Sequence, residues 1–302
     1  MIPTPESLPL TVPLAEAFDI APSQGEMRRI SVGLPESYGT SQRSYPVLMA
    51  MESEFSFLSL LEAARLRARV REMEEIIVVG VGYPQGTDMA RHVARRMYDF
   101  TTDDWNSDDP VGCQVRAMIE ATGHPVRFGG APALATFLTD ELLPLLQARY
   151  RIDASDMALF GASGAGNFVG HSLFTKPGAF ARYVAVSPAF LYNDGHAFDL
   201  EAQYAQAHED LPATLHLTVG GDEVLQGGFA GLVSGALRMA ELLKQRAYPG
   251  LELSCDVYEG RTHLDACFIG MQRGMTVCWG RGDMAVSAEH GERMFGKGEV
   301  EQ

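Results

Sequence analysis

The run Ile76-Ile77-Val78-Val79-Gly80-Val81 carries no polar side chain and is closed by Gly82-Tyr83-Pro84. A strand this apolar on both faces must be covered on both. A parallel sheet between two helix layers does that, and an antiparallel sheet with one wet side does not. Other short apolar runs bounded by Gly, Pro or Ser stand at Ile30 to Leu34 and Val47 to Met51, and further strands read at Met157 to Phe160, Tyr183 to Val186, Thr214 to Val219 and Glu252 to Tyr258. Helical stripes lie between several of them. Phe57, Leu60, Leu61, Ala64 and Ala68 form one, Ala133 to Tyr150 another that Pro144 should kink, and Leu232 to Gln245 and residues 264 to 275 two more. Strands alternating with helices predict an α/β fold: a doubly wound, mostly parallel sheet with helices on both faces.

No linker or internal repeat divides the 302 residues, so residues 1–302 are expected to form a single domain. Residues 1–25, rich in proline and without a clear period, read as an arm over that domain. Residues 101–130 lose periodicity over a length typical of a functional loop and read as a lid-like excursion. Residues 282–302 turn charged and read as a loosely held tail.

Charge and composition exclude several functions. Twenty-four basic against 39 acidic residues leave a formal charge of -15, which repels a phosphate backbone, so nucleic acid is not an expected partner. Only Lys176, Lys244 and Lys297 are lysines, and no Gly-Lys-Ser/Thr phosphate loop is present. No apolar run reaches the roughly 18 to 20 residues of a membrane span, so no membrane partner is expected. The first ten residues lack the positive cluster and apolar core of a secretory signal. Cys113, Cys255, Cys267 and Cys278 are sparse and form no CxxC pair, which indicates neither a disulfide framework nor a zinc site. The expectation is a cytoplasmic protein with reduced thiols, no metal and no cofactor. A homo-oligomer is compatible with all of this.

The most informative stretch is Leu159-Phe160-Gly161-Ala162-Ser163-Gly164-Ala165-Gly166-Asn167-Phe168. A buried strand runs through small residues around a serine into a helix, which is the setting of a nucleophile elbow. Ala165 takes the last glycine position of G-x-S-x-G, and glycine follows one residue later. A dinucleotide loop through Gly164, Gly166 and Gly170 would need an acidic residue at the end of the next strand, where Val184-Ala185-Val186-Ser187-Pro188 has none. Small residues could also serve only close helix-strand packing. The order of candidates downstream favours the nucleophile. Leu215 to Gly221 delivers Asp222 and Glu223 at a strand end, and the strand closing at Tyr258 delivers Glu259-Gly260-Arg261-Thr262-His263. Serine, acid, histidine is the chain order of α/β hydrolases. Ser163 would be the nucleophile, His263 the general base, and Glu223 or Asp222 the group that orients the imidazole. His92, His124, His171, His196, His208, His216 and His290 show no metal spacing and receive no role.

These residues resemble the esterase branch of the α/β hydrolases, which includes enterochelin-type siderophore esterases, S-formylglutathione hydrolases, feruloyl esterases and mycolyltransferases. The likeness covers roughly residues 15 to 275. It rests also on Ser44-Tyr45-Pro46-Val47-Leu48, on Ile76 to Pro84, on Tyr150-Arg151-Ile152-Asp153, on Ser187-Pro188-Ala189-Phe190, and on Arg96-Met97-Tyr98-Asp99-Phe100-Thr101-Thr102. The last is similar to that branch's Arg-x-x-Asp-x-Thr-Pro motif, with Thr102 in place of proline. By this resemblance Glu223 is the better match to the family acid, with Asp222 the runner-up. Arg96 is then a substrate contact, and the oxyanion hole is made by the backbone N–H of Gly164 and of Glu54. Ser53 stands where relatives usually carry glycine, which takes positive φ at little cost. Glu52 and Glu54 put negative charge near the site, which favours neutral or cationic substrates. Tyr83 and Phe190, with Tyr98, Trp105 and Tyr192, would suit an aryl, catecholate or lactone ester.

The function these observations imply is a serine esterase cleaving a small-molecule carboxylic ester through a Ser163 acyl-enzyme. An acyltransferase using the same triad, and a non-catalytic binding protein on a hydrolase fold, are the alternatives.

Overall fold

The structure, a computed structural model, describes residues 11–102 and 110–281. Eight strands form one sheet: β1 (Ala15–Ile20), β2 (Arg28–Gly33), β3 (Tyr45–Met51), β4 (Ile77–Gly82), β5 (Ile152–Ala162), β6 (Arg182–Val186), β7 (Ala213–Gly220) and β8 (Leu251–Tyr258). Their order is β1-β2-β4-β3-β5-β6-β7-β8. β1 and β2 pair antiparallel with each other, β2 pairs antiparallel with β4, and the remaining neighbours are parallel. Helices flank it: α1 (Ser53–Arg69), α2 (Met89–Asp99), α3 (Pro110–Glu120), α4 (Ala131–Thr136), α5 (Leu143–Arg149), α6 (Gly164–Thr175), α7 (Tyr192–Ala207), α8 (Ala230–Arg246) and α9 (His263–Trp279).

The two-sided burial expected of the central strands is visible residue by residue. Val47, Met49 and Met51 of β3, Ile77, Val79 and Val81 of β4, and Met157 and Leu159 of β5 enter one core with Leu134, Phe168 and Met239. The alternate residues Leu48, Ala50, Val78, Ala158 and Phe160 enter a second core with Phe57, Leu60 and Leu61 of α1 and Met271 and Met275 of α9. The period of two sends each strand's apolar residues to both layers, so no residue of these strands can be polar without a partner. α9 presses close to the sheet because two of its positions lack a side chain. A Cβ on Gly270 would meet Thr218 Oγ1 and one on Gly274 would meet Val184 Cγ1 at 2.6 Å.

Three departures from the sequence expectation stand out. Part of the N-terminal arm is the edge strand β1, whose alternating residues are half-exposed or exposed and so carry no apolar run. Within the expected lid, Pro110–Glu120 is helical; the rest of that excursion between 103 and 109, with Trp105, lies outside the described residues, as does the expected tail. The helical stripe from 131 to 149 accommodates Pro144 through a π-helical turn, Phe137–Leu142, just before it. Widening the turn there fits a residue that has no N–H to give and a ring that crowds the preceding carbonyl.

Candidate active site

The parallel strands all end on one edge of the sheet, and the turns that leave them bring the candidate residues together. β5 enters α6 through Ser163, which adopts φ 58 and ψ -121. This conformation is costly for a residue with a Cβ. It is held by Ser163 N–H donating to Val186 O at 2.8 Å and by Asn167 N–H donating to Ser163 O at 3.1 Å. The turn is too tight for larger neighbours, since a Cβ on Gly161 would collide with the Ala165 carbonyl oxygen. Gly164 is the first residue of α6, so its N–H is among those left without an intrahelical partner at the positive end of the helix.

β7 ends in Gly220, and the following turn buries Glu223 completely. Glu223 Oε1 accepts hydrogen bonds from Ser187 Oγ at 2.6 Å and Gly220 N–H at 3.2 Å, and lies 3.4 Å from His263 Nδ1. The neighbouring Asp222 donates its backbone N–H to Arg261 O. Of the two adjacent carboxylates, Glu223 is the one with a contact to the histidine. His263 is the first residue of α9, whose N-cap Thr262 and Asp265 form a capping box. Its N–H donates to Gln226 Oε1 at 2.8 Å, and its ring lies flat on Phe229 with centroids 4.1 Å apart.

Ser163 and His263 open onto one cavity of about 370 Å³. Arg96 borders the same cavity, and its Nη2 lies 3.6 Å from where a Gly164 Cβ would stand. Its guanidinium donates to both oxygens of Glu52, through Nε at 2.7 Å and Nη2 at 3.2 Å, and His92 Nε2 lies 3.3 Å from the same carboxylate. Burial would raise the Glu52 carboxyl, but the Arg96 charge and the hydrogen bonds from His92 and Arg96 outweigh it and hold the group below its ordinary value.

Other expected site residues are placed differently. Glu54 does not border the cavity. Its carboxylate turns to the end of β4, where it accepts the Tyr83 N–H. The left-handed residue of the β3-α1 turn is Glu52, at φ 56, while Ser53 opens α1 in ordinary helical geometry. Tyr83 is buried behind the cavity wall, its hydroxyl on Asp99 Oδ2 at 3.0 Å and its ring under the Arg95 guanidinium. Phe190 is buried in the core against Gly170 and Gly235. Aromatic character alone did not separate core rings from site rings, and both of these serve packing. Glu52, expected near the site, does border the cavity; His92, Phe55, Phe229 and Phe268 also face it and were not foreseen. Phe55 and Phe268 had one legible signal, since each is apolar off the buried stripe of its helix. Among the described residues no group of three or more His, Cys, Asp or Glu could hold a metal.

Comparison with known proteins places this arrangement. The family model described as "Putative esterase" matches residues 21–271. The chain belongs to this esterase family. Among curated proteins it is 28% identical over 190 residues to the siderophore triacetylfusarinine C esterase of Aspergillus fumigatus, covering 61% of this chain and 59% of that one. It is 24% identical over 234 residues to the ferri-bacillibactin esterase BesA of Bacillus subtilis, covering 76% and 78%. The match thus spans less than two thirds of the Aspergillus relative's length. The BES protein of Bacillus cereus has a similar fold, with TM-score 0.74 and 24% identity over 91% of this chain and 98% of that one. No helix among the described residues is long and apolar enough to cross a membrane.

Proposed function

We propose that this protein is a serine-dependent carboxylic ester hydrolase acting on a small-molecule ester. The observation that carries the proposal is the meeting, in one cavity, of a serine in elbow geometry with a histidine beside a buried carboxylate. Ser163 Oγ bonds to the ester carbonyl carbon as His263 Nε2 takes its proton, and Glu223 steadies the resulting imidazolium through Nδ1–H. The negative charge gathering on the carbonyl oxygen is met by the Gly164 N–H at the N-terminus of α6. We assign the second donor to the β3-α1 turn, where Glu52 and not Glu54 borders the cavity. The carbon–oxygen bond to the alcohol then breaks, and His263 gives its proton to the departing oxygen. Water repeats the sequence: His263 takes a proton from it, the hydroxide adds to the acyl carbon, and Ser163 leaves with that proton as the carboxylic acid is released.

Family membership and the named esterase relatives support this reading. Cys255, Cys267 and Cys278 form no disulfide, which fits the reducing cytoplasm to which we assign the protein. The experiment is hydrolysis of 4-nitrophenyl butyrate by the wild type, Ser163→Ala and His263→Ala. Each substitution should lower kcat by on the order of 1,000-fold or more, and an unchanged rate in Ser163→Ala would overturn the proposal.

A further inference from the structure

Apart from the residues of the proposed reaction, the wall of the cavity is mostly carbon and thioether sulfur: Phe55, Met89, Val93, Leu264, Phe268 and Met271 supply much of it. Cys267 adds an uncharged thiol, which burial pushes up to about 12. The apolar surface continues outward at the rim, where Phe55, Leu264 and Phe268 are 54%, 69% and 57% exposed. Single exposed apolar residues are common on soluble proteins, but several converging on one opening mark a binding surface.

Glu52 and Arg96 line the cavity as a carboxylate and a guanidinium, and they are paired with each other through two hydrogen bonds. His92 faces the same carboxylate from α2, and Tyr83 and Phe55 pack edge-on against the His92 ring. A carboxylate entering the cavity must share the Arg96 guanidinium with Glu52, two negative charges on one positive, or lose its water with no partner. An ammonium must in turn share Glu52 with Arg96. Either course leaves one buried charge uncompensated, which costs more than placing a methyl group on the apolar wall saves. The chain's formal charge of -15 further disfavours anions on approach.

We infer that the cavity receives the acyl or aryl part of an uncharged, apolar ester, and that the Glu52–Arg96 pair is the element that rejects charged analogues. This rests on the reading of Ser163 as nucleophile, which is what makes the cavity a substrate site. The volume of about 370 Å³ lies at the small end of the roughly 300 to 1,000 Å³ of ligand pockets, as a short chain or single ring requires.

The test uses Ser163→Ala protein titrated by calorimetry with three 4-nitrophenyl esters of one six-carbon chain, ending in methyl, carboxylate or trimethylammonium. The methyl ester should bind at least about tenfold more tightly than either charged one. Adding Glu52→Gln frees Arg96, and the carboxylate ester should then gain about tenfold or more relative to the methyl ester. Equal binding of the methyl ester and either charged ester to Ser163→Ala overturns the inference, and this comparison decides alone if the Glu52→Gln variant does not fold. Wild-type turnover separates the two claims. Comparable kcat/KM for all three esters with equal binding sinks the inference and leaves the esterase reading standing. No turnover of any ester, with the methyl ester still bound best, sinks the esterase reading and leaves the binding preference standing.

Discussion

In the proposed reaction Ser187 would be a positioning residue, and its effect on Glu223 can be separated from its own backbone strain. Its hydroxyl makes the shortest of the bonds to Glu223 Oε1, at 2.6 Å, and both residues are fully buried. Ser187→Ala therefore removes a charge-assisted bond that water cannot replace, at a cost of about 1.5 to 3 kcal/mol. Glu223 keeps Gly220 N–H at 3.2 Å and His263 at 3.4 Å, while its other oxygen is buried with no partner among the described residues. A carboxylate held by these longer contacts orients the imidazole less well. The expected loss in kcat is on the order of tenfold, about 1.4 kcal/mol of transition-state stabilisation, with KM unchanged. Ser187 also sits at φ 44, a left-handed conformation that costs a residue with a Cβ about 1 to 2 kcal/mol. Ser187→Gly loses the same bond but sheds that strain, so it should be the more stable variant while losing as much activity as Ser187→Ala. Urea unfolding and 4-nitrophenyl butyrate kinetics on the pair measure both quantities. Wild-type kcat in Ser187→Ala, or a kcat that tracks stability across the two variants, would refute the reasoning.

Other consequences can be checked with similar means. Glu223→Gln should lower kcat by about 100-fold or more, and Asp222→Asn should leave it within about threefold, because only Glu223 stands beside His263; comparable losses would reopen the assignment. Gly161→Ala should cost at least about 3 kcal/mol, since its methyl would collide with the Ala165 carbonyl, whereas Gly164→Ala, with its nearest neighbour at 3.6 Å, should fold; equal unfolding midpoints would contradict this. Burial lowers both His171 and His216 to about 4. Below the ordinary histidine value of about 6.5 the unfolded chain binds protons that the folded chain refuses, so stability falls with pH, by about 2 kcal/mol per residue at pH 5. A urea midpoint that stays flat between pH 7 and pH 5 would contradict that.

The central strands were legible because burial on both faces leaves an unbroken apolar run, as at Ile76 to Val81. β1 escaped notice because an edge strand that is only partly covered alternates half-buried with exposed residues and shows no such run. α2 escaped for a different reason: its buried residues include His92, Arg95 and Asp99, and charged groups tolerated in pairs look like a solvated face in the sequence. Arg28 and Asp99 close one such pair at 2.7 Å across 71 residues, a distance no local pattern spans. The same limit divided the site. Ser163, Glu223 and His263 could be named because each follows a strand in the order that a parallel sheet brings to one edge. Glu52 could be seen as a charge near the site, but its pairing with Arg96 depends on how α2 packs. Ser187 was visible within a Ser-Pro segment, while its bond to Glu223 arises only where the ends of β6 and β7 meet.

Whether Ser163 is an activated nucleophile, as proposed, can be tested without knowing the substrate. Wild-type protein and Ser163→Ala are treated with a fluorophosphonate and their intact masses compared. One adduct on the wild type and none on the variant is the expected result. No adduct on folded wild type, or the same adduct on both proteins, would contradict it.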